Sequence, residues 1–395
     1  MKTFIFFTLL LLFAFACQTP KQIAGTNKVI PVLSNAADAE SVDLKTALLK
    51  NNVKLGVCVS TADIQNRYPR PNNFMEAIAK YFNYYTISVS FSMVERTRGK
   101  FDFTVADRIV EFAIKQHGKV KGHSLVLVGA IPDWVEQGNF SADTLKEILK
   151  THVQTIVKHF KDKYPGAVDS WQVVNESVCN GNIPVDCPKG IKNVVWTNIH
   201  KAGSTDERDY IALAFEWAHQ ADPEAKLYLN EDGNEYDVHP KKQRIFDLLT
   251  WLVTNNVPID GVGMEAHLRL YYSPKITVAG LLATIKSYAA LGLETQITET
   301  DVLLSRGYEP NSLPTKPIPV IKPVAADYQE QANLYATLLN ACIKSKNCTA
   351  FTTGATYDGA SWTKNYWPEN SYYDQILDTA VKPKQAYYTM LAAAN

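Results

Sequence analysis

Between Val53 and Thr356, short runs of apolar, β-branched and aromatic residues alternate with longer stretches whose apolar positions recur every three or four residues. The short runs (54–59, 84–91, 120–128, 170–174, 226–229, 261–265, 295–298 and 350–356) are brief and largely continuous, the pattern of strands buried on both faces. Segments such as 74–82, 105–116, 142–163, 207–220 and 241–255 read as amphipathic helices. Strand–helix alternation calls for a parallel sheet. Eight rounds of it without an internal repeat favour a closed (β/α)8 TIM barrel, a single α/β domain, over an open sheet. Chemistry in such a barrel gathers where the strands end, on the C-terminal face.

Two of the runs end on acids. Trp171-Gln172-Val173-Val174 leads into Asn175 and Glu176, and Thr295-Gln296-Ile297-Thr298 leads into Glu299, Thr300 and Asp301. A single glutamate at a strand end is more often a solvated surface group. Two of them, distant along the chain but on one face of one barrel, suit glycosidic bond cleavage, which works between paired carboxyl groups.

The segment Trp171 to Glu176 resembles the acid/base motif of glycoside hydrolase family 10, typified by retaining endo-β-1,4-xylanases, and Ile297 to Val302 resembles its nucleophile motif. Gly122-His123-Ser124-Leu125-Val126, Pro132-Asp133-Trp134-Val135, Ala221-Asp222-Pro223-Glu224 and Gly261 to Leu268 continue the resemblance in the family's order. It runs from about residue 36 to the end and implies the barrel, and the count of eight strands is made with that barrel in view. Glu176 and Glu299 are then expected to follow the fourth and seventh strands.

The resemblance implies double displacement. Glu299 is the expected nucleophile, and Glu176 the acid that protonates the leaving oxygen and the base that then activates water. Burial and the neighbouring charge are expected to keep Glu176 protonated, and hydrogen-bond donors to keep Glu299 ionised. Asn175, His123, His267, Trp362, Glu265 and Asn230 fall at substrate-binding positions, and Asp301 is placed to fix the His267 ring. No cofactor and no metal is expected.

Departures from the family pattern cluster on the glycone side. Leu127, Val128, Gly129 and Ala130 stand where the family has Trp, His, Ser and Gln, while Thr86, Ile87 and Ser90 align with its sugar-gripping Glu, Asn and Lys. Thr353 replaces a Trp, Glu265 a Gln, and Asn230-Glu231-Asp232 an Asn-Asp-Tyr. A widened apolar pocket near Leu127 and Val128 is therefore expected, with altered glycone specificity toward a β-linked plant or algal polysaccharide or its oligosaccharides. The alternative is a surface glycan-binding protein on the same barrel without turnover. Exo rather than endo cleavage is a further alternative.

Composition narrows the partners. The chain has 395 residues, 46% hydrophobic, with 40 basic and 40 acidic side chains, so bulk charge offers nothing to nucleic acid, and a monomer acting on a neutral glycan is expected. Residues 1–16 read as a signal peptide, with Lys2 and an apolar run from Phe4 to Phe15, and Cys17 reads as a lipidated first residue; an ordinary signal peptide is the alternative. Residues 17–35 read as a lipidated tether and 36–395 as the barrel. The protein is then an exported lipoprotein, held to the outer membrane, on its periplasmic or cell-surface side, by its N-terminal lipid alone. In an oxidising compartment the close pairs Cys179 with Cys187 and Cys342 with Cys348 are disulfide candidates, the second matching a bridge common in the family. Cys58 is left as a buried free thiol. Long loops at 179–204 and 308–326 are candidates for shaping the groove.

Overall fold

The computed structural model describes residues 42–64, 74–180, 187–270, 273–304, 323–361, 363 and 373–395. Cys17, Trp362 and most of the 308–326 loop lie outside these residues. The strands are β1 (Lys54–Cys58), β2 (Tyr84–Ser88), β3 (Lys119–Leu127), β4 (Val168–Asn175), β5 (Lys226–Glu231), β6 (Gly261–Met264), β7 (His267–Arg269), β8 (Glu294–Leu303) and β9 (Cys348–Thr353). All their pairings are parallel. β1 to β6 follow one another, β8 pairs with β6, β9 with β8, and β1 with β9, which closes the expected barrel.

The helices cover this barrel because their apolar stripes demand it. In Ala142–Lys163, residues Leu145, Ile148, Leu149, Val153, Ile156, Val157 and Phe160 repeat at three- and four-residue spacing and are all buried. Ser141 starts that helix, its Oγ accepting from the Thr144 N–H at 3.2 Å. On the outer face of the barrel wall, Gly122 lies under the Trp171 ring, which packs against Phe160 of that helix. A Cβ there would fall 2.0 Å from Trp171 Cε3, so the glycine is what lets the indole lie across β3 beneath the helix.

Three details depart from the sequence reading. The second strand stops at Ser88, because Ser90 leads into a helical turn, Phe91–Val94. The sixth stave is split: β6 ends at Met264, Ala266 takes a left-handed φ of 59°, and the chain resumes as β7 against the upper half of β8. Glu299 consequently lies within β8 and not beyond the end of the seventh stave. Both expected disulfides are present, Cys179–Cys187 and Cys342–Cys348, and among the described residues Cys58 is the free thiol, though only partly buried. Among the described residues, no helix is long and apolar enough to cross a membrane.

Candidate active site

Strand register brings the site together. His123 pairs across the ladder with Gln172, Asn175 with Asn230, and Asn230 with Gly263. A Cβ on Gly263 would lie 2.0 Å from Asn230 Oδ1, so the missing side chain makes room for the amide. Asn230 Oδ1 accepts from Thr298 Oγ1 at 2.8 Å, which aims its NH2 at three acceptors. These are Asn175 Oδ1 at 2.6 Å, Glu299 Oε1 at 2.8 Å and Glu265 Oε1 at 3.2 Å. One buried amide from β5 thus ties β4 to β8 and to the break between β6 and β7.

Glu299 is surrounded by positive charge and donors. His123 Nδ1 lies 3.3 Å from its Oε1 and 2.6 Å from Gln172 Oε1, and His267 Nε2 lies 3.6 Å from its Oε2. Burial alone would push the Glu299 carboxyl up, but His123, His267 and Lys121 outweigh it and hold it at about 2. His267 is the converse case: burial disfavours its cation, yet Asp301, which accepts from Nδ1 at 2.9 Å, together with Glu299 raises it well above the ordinary histidine range. The expected nucleophile therefore carries charge at any moderate pH.

Glu176 follows β4 in a left-handed conformation, φ 55°, its N–H donating to Asn230 O at 3.0 Å. A non-glycine residue held there costs about 1–3 kcal/mol and persists because its surroundings dictate it. The next residues supply the restraint: Glu231 Oε1 accepts from Ser177 N at 2.7 Å, Ser177 Oγ at 2.8 Å and Val178 N at 3.0 Å. Glu231 is itself paired with Lys241 at 2.8 Å, and Lys241 also bonds Asp232. The segment after Cys179 then folds back, Lys192 N donating to Ser177 O at 2.7 Å, which carries Lys192 Nζ to 3.6 Å from Glu176 Oε2. The Cys179–Cys187 bridge staples this return.

Of the sequence-predicted site residues, Glu176, Glu299, Asn175, His123, His267, Glu265, Asn230 and Asp301 gather in one cluster of mutual contacts. Two expectations fail in part. Glu176 is not buried, since its side chain is 36% exposed. Val128 does not open a pocket either: it is buried in the hydrophobic core, and Leu127 alone of that pair is half-exposed. Sequence reasoning also missed Lys121, Gln172, Thr298, Asp232 and Lys192. Lys121 and Gln172 were within reach, the first sharing a strand face with His123 and the second lying opposite it. Lys192 reaches the site through a loop with no periodicity to read.

A parallel eight-staved barrel that presents Glu176 just past β4 and Glu299 on β8 at the C-terminal ends of its strands is an architecture suited to cutting glycosidic bonds between paired carboxyl groups. The sequence profile described as glycosyl hydrolase family 10 matches residues 43–393, and the chain belongs to that family. Endo-1,4-beta-xylanase A of Thermoanaerobacterium saccharolyticum is 33% identical over 288 residues, 70% of this chain and 22% of that protein. Exoglucanase XynX of Acetivibrio thermocellus is 29% identical over 386 residues, 94% of this chain and 31% of that one. The chain thus spans less than a third of the length of these two relatives. Among solved structures, a variant of the intracellular xylanase of Thermoanaerobacterium saccharolyticum in complex with xylotetraose superposes with a TM-score of 0.71 at 28% identity, covering 88% of this chain and 98% of that one.

Proposed function

We propose that the chain is a retaining β-glycoside hydrolase of the endo-β-1,4-xylanase kind, acting on a β-linked polysaccharide or its oligosaccharides by double displacement. Glu299 attacks the anomeric carbon while Glu176 protonates the leaving oxygen, and Glu176 then takes the proton of the water that releases the glycosyl group. The observation that carries this is the contrast in the surroundings of the two acids. Glu299 is charged and flanked by His123, His267 and Asn230, whereas Glu176 stands half-open to solvent beside Lys192, where a leaving group and then a water can reach it. Asn175 and His123 are positioned to bind the sugar next to Glu299, and Asp301 to orient His267. The match to family 10 and the naming of a relative as an endo-1,4-beta-xylanase support xylan as the first substrate to try. The altered residues Thr86, Thr353 and Glu265 favour a changed glycone preference.

Reducing-sugar release from xylan, xylo-oligosaccharides and other β-glycans tests the reading. Glu299→Ala should lower turnover by at least about 10⁴-fold, and Glu176→Ala by about 10²–10⁴-fold on substrates with poor leaving groups. Binding by wild type and Glu299→Ala alike with hydrolysis by neither would support the glycan-binding alternative. Product sizes separate endo from exo cleavage. We also infer export and lipid anchoring through Cys17, supported by the apolar run Phe4–Phe15 before it; fatty-acid labelling that survives Cys17→Ser would refute this.

A further inference from the structure

Between the starts of the helices Ala325–Ser345 and Gln385–Ala394 the surface holds a cavity of about 470 Å³ that shares no residue with the cluster around Glu299. These helices follow β8 and β9, so both begin at the C-terminal end of the barrel, the end that presents Glu299. Tyr328 and Tyr373, both half-buried, form two of its walls, their ring centroids 6.2 Å apart and their planes at 82°. The two rings thus offer faces at right angles to each other, and among the described residues neither hydroxyl has a hydrogen-bond partner.

The walls are held in place before any ligand arrives. The Tyr373 carbonyl accepts from Gln331 Nε2 at 2.5 Å and from Lys384 Nζ at 2.9 Å, and Gln331 also donates to Val302 O on β8 at 2.9 Å. Lys384 Nζ lies 5.8 Å from the centre of the Tyr328 ring, a cation–π contact that steadies the second wall. The charges around the cavity are already committed. Lys384 is paired with buried Asp358 at 2.9 Å, and Asp378 Oδ1 accepts from the N–H groups of Ala380 and Lys382 in its own turn. An anionic ligand would find its one cation neutralised, and a metal ion would find a single half-exposed carboxylate. What remains for a ligand is uncharged: two aromatic faces, two phenolic hydroxyls and the exposed hydroxyl of Thr379.

We propose that this cavity is a second glycan-binding site, in which Tyr328 and Tyr373 hold a short stretch of β-linked polysaccharide while the catalytic cluster works on another. The identity of the glycan rests on the hydrolase reading above. A pyranose ring has an apolar C–H face and a rim of hydroxyls, which match an aromatic face and neighbouring phenolic and alcoholic groups. The volume falls low in the range of about 300–1,000 Å³ typical of small-molecule pockets, so it admits a few sugar rings and no folded partner. Two sites on one polymer make the second contact intramolecular, which keeps the enzyme on its substrate between cleavages.

The test uses Glu299→Ala, so that no glycan is consumed. In this protein labelled with ring-13C tyrosine, the resonances that vanish on adding Tyr328→Phe or Tyr373→Phe identify the two rings. Both should shift on titration with xylotetraose, and rings that do not shift overturn the proposal. Retention on insoluble xylan is the second readout. Adding Tyr328→Ala and Tyr373→Ala together should weaken it at least about 10-fold, through lost stacking and lost two-site attachment. Should the alanine pair not fold, the pair Tyr328→Phe and Tyr373→Phe keeps the packing and should weaken retention about 2–10-fold through the missing hydrogen bonds. Unchanged retention in a folded pair overturns the proposal. A wild type that cleaves xylan while both readouts ignore the tyrosines leaves the hydrolase reading standing and removes this one. A wild type that cleaves no xylan counts against the hydrolase reading on that substrate, while the two resonances still decide this site.

Discussion

Lys241→Met is the substitution whose consequence the structure fixes most closely. Lys241 is completely buried, and its ammonium lies 2.8 Å from Glu231 Oε2, also completely buried, and against Asp232. Burial would lower the lysine, but the two carboxylates more than reverse that and hold it above the ordinary range. For Glu231 burial pushes the other way from its partner: desolvation drives the carboxyl up, and Lys241 is the largest influence opposing it. Methionine fills about the same space without charge, which leaves Glu231 uncompensated, and removing one partner of a buried pair costs about 3–5 kcal/mol. Because Glu231 Oε1 receives three hydrogen bonds from Ser177 and Val178, the cost should reach function as well. The left-handed turn at Glu176 loses part of its restraint, and kcat should fall more than KM changes. Urea denaturation followed by tryptophan fluorescence measures the first effect and steady-state kinetics the second. Glu231→Gln combined with Lys241→Met removes both charges and should recover most of the lost stability, since an uncharged pair carries no desolvated ion. A Lys241→Met protein within about 1 kcal/mol of wild type, a surface-pair magnitude, would refute the reasoning, as would a double variant less stable than the single one.

Two further outcomes follow from the charged groups. His267→Gln removes a cation that holds Glu299 at about 2, so the acid limb of kcat/KM should move to higher pH by about 1–2 units, and an unmoved limb would separate His267 from the nucleophile. Glu235, buried and facing Asp232, is pushed up to about 7 from 4.5. On raising the pH the unfolded chain releases this proton first, so its contribution to stability is complete below about 4.5 and lost by about pH 7, amounting to about 3 kcal/mol at most. Denaturation midpoints should therefore decline across that window and flatten in Glu235→Gln.

Much of this was legible along the chain because the physics involved is local. Doubly buried strands leave continuous apolar runs, helices leave a three-to-four repeat, and the acids stand beside the runs that present them: Asn175 and Glu176 close β4, and Glu299 and Asp301 lie on β8. What stayed hidden depends on how separate elements meet. Nothing at Glu265 and Ala266 announces the break in the sixth stave, because the left-handed residue is an alanine where glycine would have signalled it. The solvent exposure of Glu176 and the approach of Lys192 arise from a stapled loop folding back on Ser177. Val128 is apolar whether it lines a pocket or packs in the core, and only its neighbours decide that it packs.

The stereochemistry of the first product tests the central claim most directly. Proton NMR of the anomeric region during the first turnovers on a β-linked oligosaccharide should show the β-anomer appearing first, with the α-anomer growing in later by mutarotation. An α-anomer appearing first would mean that water attacks directly, leaving Glu299 no role as a nucleophile.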